Sequence, residues 1–294
     1  MDQRRQRIYR TSAIVLKRQD FGEADRILTL FTPERGKLRA IAKGVRKTTS
    51  RKSGHIELFT YSDLLIAKGR NLDIVTQAEM IRPFLGLRQE LPRISYAYYI
   101  TELVDKFTKE DDENRPLFDL LLATLQTLGE TNDLQRTARH FELCLLDAVG
   151  YRPQLFHCVR CYKEIEPVNN FFGIEAGGIL CPDCVAGVRA GPSPGSFDSS
   201  TGLRASSVEE RPLERPILWE RQAGYTSGPS AVRPLSVSAL KLLRFMQREP
   251  SAVVERLRIR RKTHGEMEHL MHHYLTHLLE RELKSVEFLE TLTV

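Results

Sequence analysis

The sequence predicts an α+β multidomain chain: a five-stranded barrel first, then an all-helical domain interrupted by a small ribbon. Three observations predict it. Residues 11–80 alternate in strand fashion between turn residues, and residues 83–150 switch to a helical period. Four of the five cysteines fall into two pairs, Cys158-Val159-Arg160-Cys161 and Cys181-Pro182-Asp183-Cys184, with 19 residues between them. The resulting boundaries are 1–82 for the barrel, 83–155 for the first helical part, and 156–186 for the ribbon. A flexible insertion at 187–234 and a C-terminal helical part at 235–294 complete the chain.

Strands are expected at 12–18, 24–32, 37–43, 58–67 and 72–78. Pro33-Glu34-Arg35-Gly36 is turn chemistry, with Gly36 free to take a positive φ, and Gly69-Arg70-Asn71 makes a second turn. The third strand places Leu38, Ala40 and Ala42 on one face and Lys37, Arg39 and Lys43 on the other. Five short strands in so few residues suit a small closed barrel of the oligonucleotide-binding kind. After the third strand runs Lys43-Gly44-Val45-Arg46-Lys47-Thr48-Thr49-Ser50-Arg51-Lys52, with five cations, three hydroxyls and no acid. Such a segment bonds phosphates from many angles and is expected to be mobile when free. Phe21, Phe31, Phe59 and Tyr61 are candidates for stacking on bases, although most strand aromatics belong to the core.

Helical stripes follow. Ile94, Tyr98, Thr101, Val104 and Phe107 make the first. Asn114 and Pro116 open a second helix that stops at Gly129, and Asp133 caps a third that ends before Gly150. Cys144 shares a helical stripe with Phe141, Leu145 and Ala148, which suits a buried thiol. Residues 187–234 lose periodicity, apart from an apolar island at Ile217, Leu218 and Trp219. Ser236 opens the C-terminal part, and Thr263-His264-Gly265-Glu266 reads as a capping box before a long helix. On that helix His269, His273 and His277 recur at four-residue spacing; an exposed polar face is favoured over a metal site. Arg256, Arg258, Arg260, Arg261 and Lys262 form a second basic cluster nearby.

Each C-x-x-C loop lets two thiolates converge, and the intervening segment is long enough for a hairpin. Cys158, Cys161, Cys181 and Cys184 are therefore expected to hold one structural Zn²⁺ in a closed tetrahedral site. His157 stands next to Cys158 as a possible substitute ligand, but four thiols already fill the site. Disulfides would require an oxidising compartment, and a redox C-x-x-C needs only one pair.

The chain carries a net charge of +6, but residues 1–52 hold 15 Lys and Arg against 5 Asp and Glu. That is +10, so the remainder carries −4. A basic module on an acidic body suggests a polyanion partner at one end. No apolar signal core follows the first residues and no run spans a bilayer, so a cytoplasmic protein is expected. Catalysis is not expected. No G-x-x-x-x-G-K-[ST] loop is present. His55-Ile56-Glu57 matches half of a zinc-deaminase signature, but Leu180 rather than proline precedes Cys181. A zinc ribbon that itself binds nucleic acid, as in transcription or RNA-processing factors, is the alternative. Its knuckles are not notably basic: Arg160 and Lys163 face Glu164, Glu166 and Asp183.

Further motifs carry a resemblance. Gly22-Glu23-Ala24-Asp25-Arg26-Ile27, Thr32-Pro33-Glu34-Arg35-Gly36-Lys37 and Ala42-Lys43-Gly44-Val45-Arg46-Lys47 precede the helical part. Gly177-Gly178-Ile179-Leu180-Cys181 leads into the second knuckle. In this order they resemble the RecO family of bacterial DNA repair proteins, over residues 8–186 and again from about 235. The resemblance implies a barrel that binds single- and double-stranded DNA without sequence preference, and annealing of complementary strands. It implies work with RecR, and in many bacteria RecF, to load RecA onto strands coated by single-stranded-DNA-binding protein, whose acidic C-terminal tail is contacted. Lys37, Arg39, Lys43, Arg46 and Lys47 are the DNA contacts it implies; Arg51 and Lys52 extend the same basic loop. The 187–234 stretch is longer than the resemblance leads one to expect.

Overall fold

The computed structural model describes residues 7–189 and 232–279. Five strands, β1 (Ile8–Phe21), β2 (Asp25–Thr32), β3 (Gly36–Ala42), β4 (Tyr61–Ala67) and β5 (Asp73–Arg82), close into a barrel in the order β1-β2-β3-β5-β4. All neighbours are antiparallel except β3 and β5, which pair in parallel at Ala40 and Asp73. Ala13, Val15, Leu28, Leu30, Leu38, Ala40, Leu64, Ile66 and Val75 fill the interior, and Val45 and Ile56 join them. Alternation on β3 runs as the sequence predicts, with Leu38, Ala40 and Ala42 inward.

Strand β1 is twice the expected length, and it changes face midway. Its register with β2 slips between Val15 and Lys17, leaving Leu16 as an extra residue. The bulge puts Ile14, Leu16 and Lys17 all outside the barrel. Ile14 and Leu16 pack against the helices, whereas Lys17 is exposed. Backbone groups left by the slip are satisfied by the chain before β4: Val15 N–H donates to Thr60 (3.1 Å) and Phe59 N–H donates to Val15 (2.9 Å). Phe59 takes φ 67° to do so, which is why β4 starts at Tyr61 rather than at 58.

The helices α1 (Leu91–Phe107), α2 (Arg115–Glu130) and α3 (Leu134–Ala148) follow the predicted stripes. Asn114 and Asp133 cap α2 and α3 by accepting from the amides of Leu117 and Arg136. These helices cover the apolar outer side of the barrel. Phe31 and Tyr61 stand 6.1 and 5.9 Å from the Phe118 ring, and Phe59 meets Tyr98 edge-on at 4.9 Å. Three of the four candidate stacking aromatics are thus docking residues, and only Phe21 is exposed. Gly36 fixes the other contact. Its φ is +60°, and a Cβ there would fall 1.8 Å from the Asp112 carbonyl oxygen, so the 110–113 loop rests directly on this backbone.

The ribbon contributes β6 (Asn170–Gly173), β7 (Gly178–Leu180) and α4 (Pro182–Arg189). Its third strand, β8 (Val232–Leu235), comes from the far side of the predicted insertion and pairs with β6. The edges of 187–234 are therefore built into structure, while 190–231, with Trp219, lies outside the described residues. Helices α5 (Val237–Arg248), α6 (Ser251–Val254) and α7 (Arg261–Leu279) complete the body. The capping box at Thr263 is not used: α7 begins at Arg261. Glu266 instead accepts from the Ser236 amide (2.5 Å) and hydroxyl (2.7 Å), tying α7 to the start of α5. Met267, Met271 and Tyr274 form the buried face of α7. Where α1 and α3 meet, buried Arg139 pairs with buried Glu142 at 2.6 Å, and the Tyr99 hydroxyl donates to the same carboxylate oxygen at 2.5 Å.

Candidate nucleic-acid face and metal centre

The four predicted thiols converge. All four Sγ atoms lie within 4.8 Å of one another, and Cys161 and Cys181 are 3.8 Å apart. A tetrahedron with metal–sulfur bonds of about 2.3 Å requires sulfur separations of about 3.8 Å. Bonded sulfurs would stand at about 2.05 Å, so the spacing fits a metal rather than disulfides. The backbone prepares the site. Tyr162 N–H donates to the Cys158 carbonyl (2.9 Å), and Cys181 N–H points at the Cys158 sulfur (3.4 Å). Cys184 sits in the first turn of α4, where Arg160 donates to its carbonyl (2.9 Å). Burial raises the Cys158 thiol, but amide donors from Cys161, Cys181 and Arg160 outweigh it and bring it down to about 6. A thiolate at neutral pH is what a cation needs first. His157 is exposed, and its backbone bridges to Glu164. Among the described residues no other set of three or more donors converges, the α7 histidines included.

The basic residues of the barrel divide into two groups. Lys37 donates to the Asp105 carbonyl oxygen (2.5 Å) and pairs with its carboxylate (3.2 Å), with its side chain 12% exposed. Lys52 donates to the Val75 carbonyl (3.0 Å), and burial pulls its ammonium below the ordinary lysine value. Arg46 lies against Asp20 (3.4 Å) and the Gly22 carbonyl (3.3 Å). These three hold the barrel together. Arg39, Lys43, Lys47 and Arg51 are exposed, with no ion pair or hydrogen bond from their side chains among the described residues.

The loop from Lys43 is tied down rather than open. Gly44 N–H donates to Asp25 (2.7 Å), Arg46 N–H donates to the Ala24 carbonyl (2.9 Å), and Val45 is fully buried. Its free cations are thus presented from a fixed backbone beside the end of β3.

One cation was not legible. Lys17 faces Thr29, which faces Arg39, so these three make a row across β1, β2 and β3. Strict alternation on β1 would send Lys17 inward with Ala13 and Val15; the bulge at Leu16 reverses it. No sequence signal marks that bulge.

A small closed barrel of this strand order has the oligonucleotide-binding type of fold, here with a cation-bearing outer face. Here it is fused to a helical body carrying four thiols placed so that they could hold a metal ion. Comparison with known proteins particularises this. Residues 6–84 match the family described as Recombination protein O N terminal, and residues 88–196 match Recombination protein O C terminal. A protein of Roseiflexus sp. (strain RS-1) named DNA repair protein RecO is 42% identical over 97% of this chain and 86% of its own length. Proteins of the same name from Dehalococcoides mccartyi (strain ATCC BAA-2266 / KCTC 15142 / 195) and Pelotomaculum thermopropionicum are 34% and 35% identical. Each is matched over 97% of this chain and over 96% and 94% of its own length. The chain belongs to the RecO family of DNA repair proteins. No helix among the described residues is long and apolar enough to cross a membrane.

Proposed function

We propose that this protein is a cytoplasmic recombination mediator that binds single- and double-stranded DNA through the barrel and anneals complementary strands. With RecR, and with RecF where it is present, it helps load RecA onto coated single strands. The observation that carries the reading is the unpaired cation row of Lys17 and Arg39, continued by Lys43, Lys47 and Arg51. Two complementary strands repel through their phosphates. A surface that holds one strand by its phosphates lowers that repulsion, and base pairing then supplies both specificity and driving force. No covalent step is required. Zn²⁺ on Cys158, Cys161, Cys181 and Cys184 fixes the ribbon against the helical body and has no position open to substrate.

A groove of about 480 Å³ between α2, α3 and the α5–α6 corner is the site we assign to the acidic tail of single-stranded-DNA-binding protein. Leu120 and Val254 give it apolar lining, Arg136 and Arg248 line it as cations beside Glu249 and Glu255, and burial lowers the His140 imidazole, which lines it as a neutral donor or acceptor. Burial raises the Cys144 thiol in the same groove to about 11, which makes it an inert lining group.

The test is a salt titration of single-strand binding beside an annealing assay without nucleotide, using Lys17→Glu/Arg39→Glu/Lys43→Glu. The parent should bind with steep salt dependence and accelerate annealing. The variant should lose both, its salt slope flattening by about 0.7 per phosphate contact removed. Equal binding by parent and variant across salt would overturn the reading.

A further inference from the structure

Beside the cation row lies a recess of about 180 Å³ whose lining is mixed in sign. Gln19, Ile27 and Thr29 line it together with the cations Lys17, Lys37 and Arg39 and with the carboxylates Asp105 and Glu110 of the helical body. It is smaller than the roughly 300–1,000 Å³ of sites that enclose drug-sized ligands, so its occupant is a fragment of something larger. The two carboxylates decide which fragment. Lys37 also lines the recess but is spent on Asp105, so a phosphate pushed in past Lys17 and Arg39 would meet the unpaired Glu110 carboxylate and be repelled. A nucleobase would not: it offers an apolar ring to Ile27, acceptors to Lys17 and Arg39, and exocyclic N–H donors to the carboxylates.

The carboxylates are held there by the fold. The Glu110 backbone bridges to Lys37, and Asp111 N–H donates to the Lys37 carbonyl (2.9 Å). Asp105 pairs with the Lys37 ammonium, which neutralises one of its oxygens. The Glu110 carboxylate has no partner among the described residues and is exposed at the rim.

We infer that this recess binds one unpaired, amino-bearing nucleobase of a single strand whose phosphates lie along Lys17, Arg39 and Lys43. The inference rests on the barrel-face reading above and adds to it a base preference. A carboxylate accepts from the cytosine amino group, whereas thymine turns a carbonyl oxygen toward it. Duplex DNA is excluded from the recess, because its bases are stacked and paired.

The test measures the affinity of the full-length protein for oligo-deoxycytidine and oligo-deoxythymidine of equal length, above neutral pH. The parent should favour cytidine about fivefold, at the low end of what one base contact contributes. Glu110→Ala should bring the ratio to about one while keeping the salt slope; Asp105→Asn gives a second reading, with thermal melting to verify its fold. Equal affinities in the parent, or an unchanged ratio in both variants, overturns the recess. A general gain in Glu110→Ala with the ratio retained means mere repulsion and also overturns it. Lys17→Glu/Arg39→Glu separates the two levels. If that variant binds both oligonucleotides like the parent, the barrel-face reading itself has failed. If it loses both while the parental ratio is one, only the recess has.

Discussion

The barrel has two outer sides built from the same strands, and they serve opposite ends. On one, Ile14, Leu16, Phe31 and Phe59 are buried under α1 and α2. On the other, Lys17, Thr29 and Arg39 form an open polar row. A single extra residue at Leu16 separates them, because a one-residue slip exchanges the faces of everything beyond it. The contrast teaches that a count of cations does not measure a binding surface. Lys37 and Arg39 share a face of β3, yet Lys37 is spent on Asp105 and Arg39 is free.

The contrast can be broken hardest from the covered side. Removing the metal with a chelator should give the largest loss of stability, toward the about 10–16 kcal/mol that isolated zinc modules derive from their ion. Melting should shift far more than the DNA salt slope of the protein that remains folded. The loss on chelation should shrink as pH falls, because protons then compete with the ion for the thiolates. Cys158 is depressed to about 6, so its contribution is complete above the ordinary thiol value of about 8.5 and is lost as pH falls from there through the depressed one. Next comes Phe31→Ala, which empties a fully buried site against Phe118 and should cost about 3–5 kcal/mol by denaturant titration. An equal effect of Phe31→Ala and Arg39→Ala on stability would abolish the distinction between the sides.

Lys37→Met sharpens the comparison at its boundary. It removes a charge-assisted contact to the Asp105 carbonyl and carboxylate that is largely shielded from solvent. Stability should fall by about 1–2 kcal/mol, and strand affinity should change little. If instead affinity drops as far as in Arg39→Met while melting stays unchanged, Lys37 belongs with the open row.

Much of this was legible because it is local. The two cysteine pairs mark by spacing alone the four thiols that converge, and Asn114 and Asp133 mark helix starts by cap chemistry that needs no tertiary partner. The alternation of Leu38, Ala40 and Ala42 fixed the inward face of β3. What was illegible depends on distant partners. Asp105 occupies Lys37 and Val75 occupies Lys52, and both lie far from β3 and its loop in sequence. Glu266, which reads as a capping-box acid, is drawn away by Ser236 across 30 residues. The third ribbon strand, Val232–Leu235, arrives from beyond a segment with no periodicity, so no window around the cysteines contains it.

The smallest effect tests the open side one charge at a time. Lys47 is exposed, lacks a side-chain partner among the described residues, and stands on a backbone fixed by its amide's bond to the Gly44 carbonyl (3.2 Å). Lys47→Ala should therefore leave stability within about 0.5 kcal/mol of the parent. If Lys47 neutralises one phosphate, the slope of log affinity against log salt should flatten by about 0.7 for single strands. Lys52→Ala should do the reverse: its ammonium is bonded to the Val75 carbonyl, so melting should fall while the slope holds. Neighbours in one basic run would then differ in which measurement they move. If both residues shift the salt slope equally, the division between occupied and available cations fails at the loop, and the whole run acts as the uniform polycation that its sequence suggests.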